Sequence, residues 1–248
     1  MAITTIVLAR FPLEPLPIAF VFVAAWLTYT MNRFTDRIED AHNVPDRSAF
    51  IDRYGRPLLA VAGISYAGFV VLTLRYVPRM MLFVVLPVLG ILAYARPAVK
   101  RHFAIKNGAV GAIWAAIPVG LGVYYGALTD PIIVLTATVI FWHITLAAAL
   151  FDIKDIEGDR AIGSRTLPLV FSPGRTRQLV MVGALLLVIP IGWGIFTIGW
   201  WSAILGGYVF HLLVVAPFAT AHRGSLFYGI VIDGEHLAVA ILAIIIGM

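Results

Sequence analysis

The chain has 248 residues, of which 61% are hydrophobic and only 12% charged, with a net charge of +5. A soluble domain carries roughly a quarter charged residues, so lipid is the solvent for most of this surface. There is no cysteine, which excludes disulfides, thiolate chemistry and iron–sulfur clusters.

A hydrocarbon core of about 30 Å asks for helices of about 20 residues. Eight stretches qualify in chain order: 14–35, 57–75, 79–96, 107–126, 131–151, 178–198, 199–219 and 226–248. Each is apolar on most faces and too long for a barrel strand. Lipid demands that backbone groups be satisfied within the segment, so helices are predicted. The fold class is all-α: a polytopic membrane bundle of about eight helices, forming one domain over 1–248. Residues 1–13 are too short to span and lack the basic start and apolar core of a signal peptide. Pro87, Pro118, Pro190 and Pro217 fall inside predicted spans, where each kinks its helix or is accommodated by neighbours. Gly122 and Gly126 are four apart and permit close helix contact.

Loops 33–56, 96–106, 152–177 and 220–225 fall on one side of such a bundle. They carry 15 of the 18 Lys and Arg residues, leaving Arg10, Arg75 and Arg79 for the other side. The positive-inside rule then turns the first set toward the cytoplasm, in what is read as the cell membrane. The net charge reflects topology, and nothing in it calls for nucleic acid.

Acidic residues are gathered as well. Nine of the 13 lie between Asp36 and Asp52 or between Asp152 and Asp159. Carboxylates are expensive beside hydrocarbon, so such clusters point to a cationic ligand, with divalent metal first. Asn32, Asp36 and Asp40 are spaced i, i+4, i+8 and share a helix face. Asp155 and Asp159 repeat the spacing, with Asp152 three residues earlier. Asp36 and Asp155 are 119 residues apart, which suggests two halves around a shared polar mouth. Opposed faces of this kind form a hard, oxygen-only set that suits Mg²⁺ and is poor for zinc. A diphosphate bridging such ions needs further cations. The candidates are Arg33, Arg37, Lys100, Arg101, Lys154, Arg160 and Arg165. A solvated helix end with surface Asp–Arg pairs is the competing reading of either motif alone.

At these residues the chain resembles the UbiA superfamily of intramembrane prenyltransferases. The family's first signature, an Asn-x-x-x-Asp-x-x-x-Asp helix end followed by an Asn-x-Pro-x-Arg loop, reads here as Asn32, Asp36, Asp40 and then Asn43, Pro45, Arg47. Its second, Asp-rich segment corresponds to Asp152 through Pro168. Tyr94 and the Lys100–Arg101 pair look like the family's Tyr/Lys loop, with stretched spacing. The match runs from about residue 15 to 175. Family members usually have nine spans, with the first motif ending the second; here it ends the first.

The resemblance implies Mg²⁺-dependent loss of diphosphate from an allylic prenyl diphosphate and attack on the resulting cation by a hydrophobic acceptor, an aromatic ring or a lipid. Asp36, Asp40, Asp155 and Asp159 would carry the catalysis, with Asn32 and Asp152 as further metal ligands. Tyr94 and the basic residues above would hold the diphosphate. Membrane lipid surrounds the site. The final run resembles members acting on quinone precursors, chlorophyll-type or glycerol-lipid acceptors. A UbiA-type terpene synthase, which cyclises the prenyl diphosphate without an acceptor, is the alternative. A transporter with a carboxylate gate is a third class. It would need polar residues through the whole depth, yet only Arg75, Arg79 and Asp130 stand clear in the outer half.

Candidate liners of a prenyl cavity are Phe20, Phe22, Trp26, Tyr66, Phe69, Trp114, Tyr124, Phe141 and Trp142; for each alone, packing duty competes. Asp233, Glu235 and His236 are ionisable groups in or near the last span, where such groups mark functional sites. Asp233 and His236 are i, i+3 and could share a face, unless Gly229 and Gly234 break the helix there. His143 and His211 read as satisfied buried histidines, and Trp200 and Trp201 as interface anchors.

Overall fold

A computed structural model of the protein describes residues 1–35, 45–94, 102–161, 163–224 and 226–247. Among these, seven helical segments are long and apolar enough to cross a membrane, and no strand forms. The bundle is all-α, and the chain is an integral membrane protein.

A short helix, α1 (Ala2–Leu8), precedes the first span, α2 (Pro15–Thr35). The second is α3 (Pro45–Tyr76). It starts 12 residues before the predicted boundary at 57, because Pro45 supplies a preset first helical position and Asp46 an acid in the first turn. Pro57 is absorbed inside it. At 1.5 Å per residue the helix is about 48 Å long, so it projects well beyond the hydrocarbon. A 3₁₀ turn, Pro78–Met80, leads into α4 (Met81–Tyr94). This is the predicted third span, and its apolar helical stretch, Pro78–Gly90, is the one that falls short of crossing length.

Helices α5 (Phe103–Tyr125) and α6 (Pro131–Lys154) form a tight antiparallel pair. Gly126, with φ 74°, closes α5 in the left-handed conformation that glycine adopts without penalty. Asp130 then caps α6, its side chain accepting from Ile132 N at 3.0 Å, with Pro131 in the first turn. Gly122 meets Ile133 of α6, but Gly126 serves the turn instead of a helix contact. The pair also approaches tightly at Gly111, where a Cβ would collide with Thr145 Oγ1 and the Phe141 carbonyl oxygen.

The predicted loop 152–177 is largely helical: α7 (Ile156–Ala161), α8 (Leu167–Phe171) and the start of α9 (Pro173–Leu186). Helix α9 breaks at Leu187 and continues as α10 (Val188–Thr197). Pro190 has no N–H to donate back to this turn, which accounts for the break. A 3₁₀ segment (Trp200–Leu205) enters α11 (Gly206–Val215), which ends at Ala216–Phe218 around Pro217. The last span is a π-helical turn, Phe227–Ile232, followed by α12 (Glu235–Gly247).

Two apolar cores result. One joins Phe20, Val23 and Leu27 of α2 to Ala62 and Tyr66 of α3 and to Val84 and Tyr124. The other surrounds α6, where Ile140, Leu150 and Ile153 meet Val180, Leu205, Tyr208, Leu212, Tyr228 and Val239. Leu8 of α1 belongs to this second core, and α1 packs on α12 and α5.

Candidate active site at the polar mouth

Helix α6 carries Asp152 in its last turn and ends at Asp155 (φ −91°, ψ 14°). The chain resumes as α7, and Asp159 N donates to Asp155 O at 2.9 Å across the break. The spacing i, i+3, i+7 therefore survives, and the three aspartates stay on one side. They sit at the negative end of the α6 dipole, where acid is disfavoured. Asp152 and Asp159 are also buried. Such an arrangement holds only with positive charge nearby.

Helix α5 supplies it. Lys106, in its first turn, places Nζ 2.8 Å from Asp152 Oδ1 and 3.4 Å from Asp159 Oδ1. Asn107 donates to Asp152 Oδ2 at 3.1 Å. Both oxygens of Asp152 are thus engaged by the protein, while Asp159 Oδ2 is buried without a hydrogen-bond partner. The segment before α5 is tied to the same place: Phe103 N donates to Arg165 O at 3.1 Å, and Ser164 N to Asp159 O at 2.9 Å.

Burial pushes the Asp159 carboxyl up to about 6, against the pull of Lys106. Burial also raises Asp155, opposed by Lys154, Lys106 and Arg47. Arg47 belongs to the first motif's trailing loop, and its charge acts on Asp155 in the same sense as Lys106. Here Arg47 lies in the first turn of α3.

Beneath the mouth an apolar cavity of about 1060 Å³ runs between α2, α4 and α5. Asn32 and Val110 line its upper end, and Pro17 and Tyr124 its floor. From Asn32 to Pro17 along α2 is about 22 Å. Of the predicted liners, Phe20, Phe22, Trp26, Trp114 and Tyr124 line it; Tyr66, Phe69, Phe141 and Trp142 do not. Tyr29 and Phe83 were not foreseen. The floor is closed by polar contacts: Tyr124 OH donates to Glu14 Oε2 at 2.7 Å, and Arg79 donates to the Tyr124 carbonyl. Glu14 therefore adds a carboxylate at that end, which the sequence reading did not place there.

The basic candidates divide. Lys154 lies over the Tyr228 ring, its Nζ 5.7 Å from the centre. Arg33 lies over Tyr29 at 4.6 Å. Arg160 and Arg165 are exposed. Asp36, Arg37, Asp40, Lys100, Arg101 and the Tyr94 side chain lie outside the described residues. Lys106 and Asn107 were missed by sequence reasoning. Their only local signal was a lysine and an amide at the very start of a span, beside a mouth already rich in acid.

A buried carboxylate cluster at one end of a helical membrane bundle, with a long apolar cavity between its helices, defines a class of integral membrane protein that offers polar and apolar surroundings side by side. The chain belongs to the UbiA prenyltransferase family, whose family model matches residues 3–226. It is similar to a protein named chlorophyll synthase, chloroplastic, from Arabidopsis thaliana, with 28% identity over 169 residues. That match covers 64% of this chain and 43% of the relative. It is also similar to the protein of the same name from Oryza sativa subsp. japonica, 35% identical over 95 residues, covering 37% of this chain and 25% of the relative. The chain thus spans less than half the length of either. No solved structure matches it.

Proposed function

We propose that the protein transfers a prenyl group from an allylic prenyl diphosphate to a hydrophobic acceptor within the membrane, using Mg²⁺. The observation that carries this reading is the placing of buried aspartates at the same end of the bundle as the Asn32–Val110 end of a long apolar cavity. The head of the donor meets Asp155, Asp159 and the Asn32 end of α2, and its tail descends toward Tyr124. The closed floor speaks against a through-path, and so against transport.

The residues present fit Mg²⁺. The donor set is oxygen-only, Asp159 Oδ2 lacks a partner, and burial raises both carboxyls, so added positive charge relieves the site. Asn32, Asp155 and Asp159, with Asp36 and Asp40, would hold the ion, which when bound neutralises the leaving diphosphate. Asp152, engaged by Lys106 and Asn107, would position that lysine toward the diphosphate. Arg33, Arg37, Lys100, Arg101, Lys154, Arg160, Arg165 and Tyr94 are the further candidates for gripping phosphate oxygens. The aromatic faces of Trp26, Tyr29 and Trp114 would stabilise the allylic cation and exclude water from it. The mouth would face the cytoplasm, given where the basic residues lie. A chlorophyll-type tetrapyrrole heads the acceptors, on the similarity to chlorophyll synthases.

The test incubates membranes carrying the protein with Mg²⁺ and labelled geranylgeranyl diphosphate. Acceptors are added singly: a chlorophyll-type tetrapyrrole acid, an aromatic quinone precursor and a glycerol lipid. Acceptor-dependent release of diphosphate supports transfer. Release of a hydrocarbon without acceptor would replace transfer by cyclisation, and no release with any acceptor would sink both.

A further inference from the structure

A second polar centre lies away from the mouth, buried between α6, α11 and α12. His143 is 12 residues before Asp155, or about 18 Å along the helix axis. Its Nε2 lies 2.8 Å from Glu235 Oε1, and His236 Nε2 approaches the same oxygen at 3.1 Å. His211 adds a third ring. The ring centres of His211 and His236 are 6.1 and 5.7 Å from that of His143. His143 is 0% exposed and Glu235 4%. His143, His211 and Glu235 can each offer one ligand atom, and these lie within 4.8 Å of one another. Asp233 is exposed and takes no part.

The centre is incompletely satisfied. Glu235 Oε2 and His211 Nδ1 are buried without hydrogen-bond partners. For His211 the tautomer follows from chemistry. Its Nε2 meets the Val231 carbonyl at 2.7 Å; a carbonyl only accepts, so Nε2 carries the proton and Nδ1 keeps its lone pair. The carbonyl comes from the π-helical turn Phe227–Ile232, where the ordinary ladder is interrupted. His236 is oriented likewise, its Nδ1 3.2 Å from Tyr208 OH. Ligand histidines at metal sites are held by outer partners of this kind.

Glu235 thus offers one oxygen to two imidazoles and the other to nothing, in a region walled by apolar side chains. A buried carboxylate left half-met is costly. Three neutral imidazoles do not supply the missing charge, and the Met1 amino group, a cation that acts on Glu235, is itself driven toward its neutral form by burial, whereas one divalent cation meets the carboxylate and takes up a free imidazole nitrogen.

We propose that His143, His211 and Glu235 bind a divalent transition-metal ion, zinc by preference, with His236 completing the set. Imidazole with a single carboxylate suits zinc and not Mg²⁺, the reverse of the mouth. Imidazoles sharing a tetrahedral zinc, with Zn–N of about 2.0–2.1 Å, hold their ring centres about 5 Å apart. The observed spacings close to that with about 1 Å of movement. The ion ties α6, α11 and α12 together. The proposal does not rest on prenyl transfer.

The experiment isolates the full chain through a tag free of histidine, exchanges it into Mg²⁺ buffer and measures bound metal by mass spectrometry. The expected result is about one zinc per chain, as for a structural site, retained in Asp155→Asn. Glu235→Gln and His143→Asn weaken zinc by at least about tenfold, the size of losing even an outer partner. Cobalt substitution gives visible absorption of a tetrahedral site in the parent and not in Glu235→Gln. If those two variants do not fold, His211→Asn, at a half-buried position, is required to show the same loss. A parent chain that takes up neither zinc nor cobalt overturns the proposal, as does zinc that is indifferent to every variant.

Discussion

The two halves of the bundle use apolar residues differently. Helices α2, α4 and α5 border a cavity of about 1060 Å³. Around α6 the corresponding space is filled: Ile140, Leu150, Leu205, Tyr208 and Leu212 are fully buried. A close-packed interior resists deformation and holds side chains in one rotamer. The aspartates of the second motif are mounted on this solid half, at the end of α6, while the oily volume is left in the hollow one. Packing fixes the aspartates in place, while the hollow half leaves space free.

The largest effect should come from the solid half. Asp155→Asn and Asp159→Asn are each expected to lower prenyl transfer by about 10²–10³-fold, the size of losing one oriented electrostatic group. Their melting temperatures should be unchanged or higher, because each removes a carboxyl that burial already disfavours. Activity within a few fold of the parent would detach α6 from the chemistry.

The seam between the halves comes next. Gly111→Ala forces α5 away from Phe141 and Thr145 of α6. A cost of about 1–3 kcal/mol is expected, as for overpacking elsewhere, read as a lower melting temperature in detergent. A neutral result would mean that the halves are loosely joined.

Filling the hollow half should change choice more than rate. Ala116 lines the cavity, and Ala116→Phe is expected to cut kcat/KM for a long prenyl diphosphate about tenfold more than for a short one, in the range that pocket size discriminates. Equal loss for both lengths would mean that the tail lies elsewhere.

The smallest effect is one of pH. Asp159 has its folded pKa raised from 3.8 to about 6. Its contribution to stability is therefore full below 3.8 and is lost as pH rises through about 6. Added Mg²⁺ restores what is lost, so it should raise the melting temperature more at pH 7 than at pH 5. Equal shifts at both values would show that Asp159 is not part of the ion's site.

Much of this was legible beforehand. Hydropathy located α6 at 131–151 against an observed Pro131–Lys154, and the i, i+4 spacing placed Asp155 and Asp159 on one face. The partners of Asp152 were not legible. Lys106 reads as an ordinary loop lysine, and its contact spans 46 residues. The cavity floor was hidden for the same reason, since Glu14 and Tyr124 are 110 residues apart. The sequence paired Asp233 with His236 at i, i+3, whereas in the structure His236 meets Glu235 and Asp233 is exposed. Two residues apart at about 100° each, Asp233 and Glu235 point to nearly opposite sides, and the packing of α12 turns Glu235 inward.

By itself the sequence determined that the chain lives in lipid, how many apolar helices it can form and where acid and base collect, because the cost of burying charge in hydrocarbon is a property of each residue and its near neighbours. Only the tertiary structure decided which half is hollow, which lysine answers the aspartates and which of the late acidic residues turns inward. Those outcomes depend on side-chain volumes and helix rotations summed across contacts distant in sequence, and no local pattern contains them.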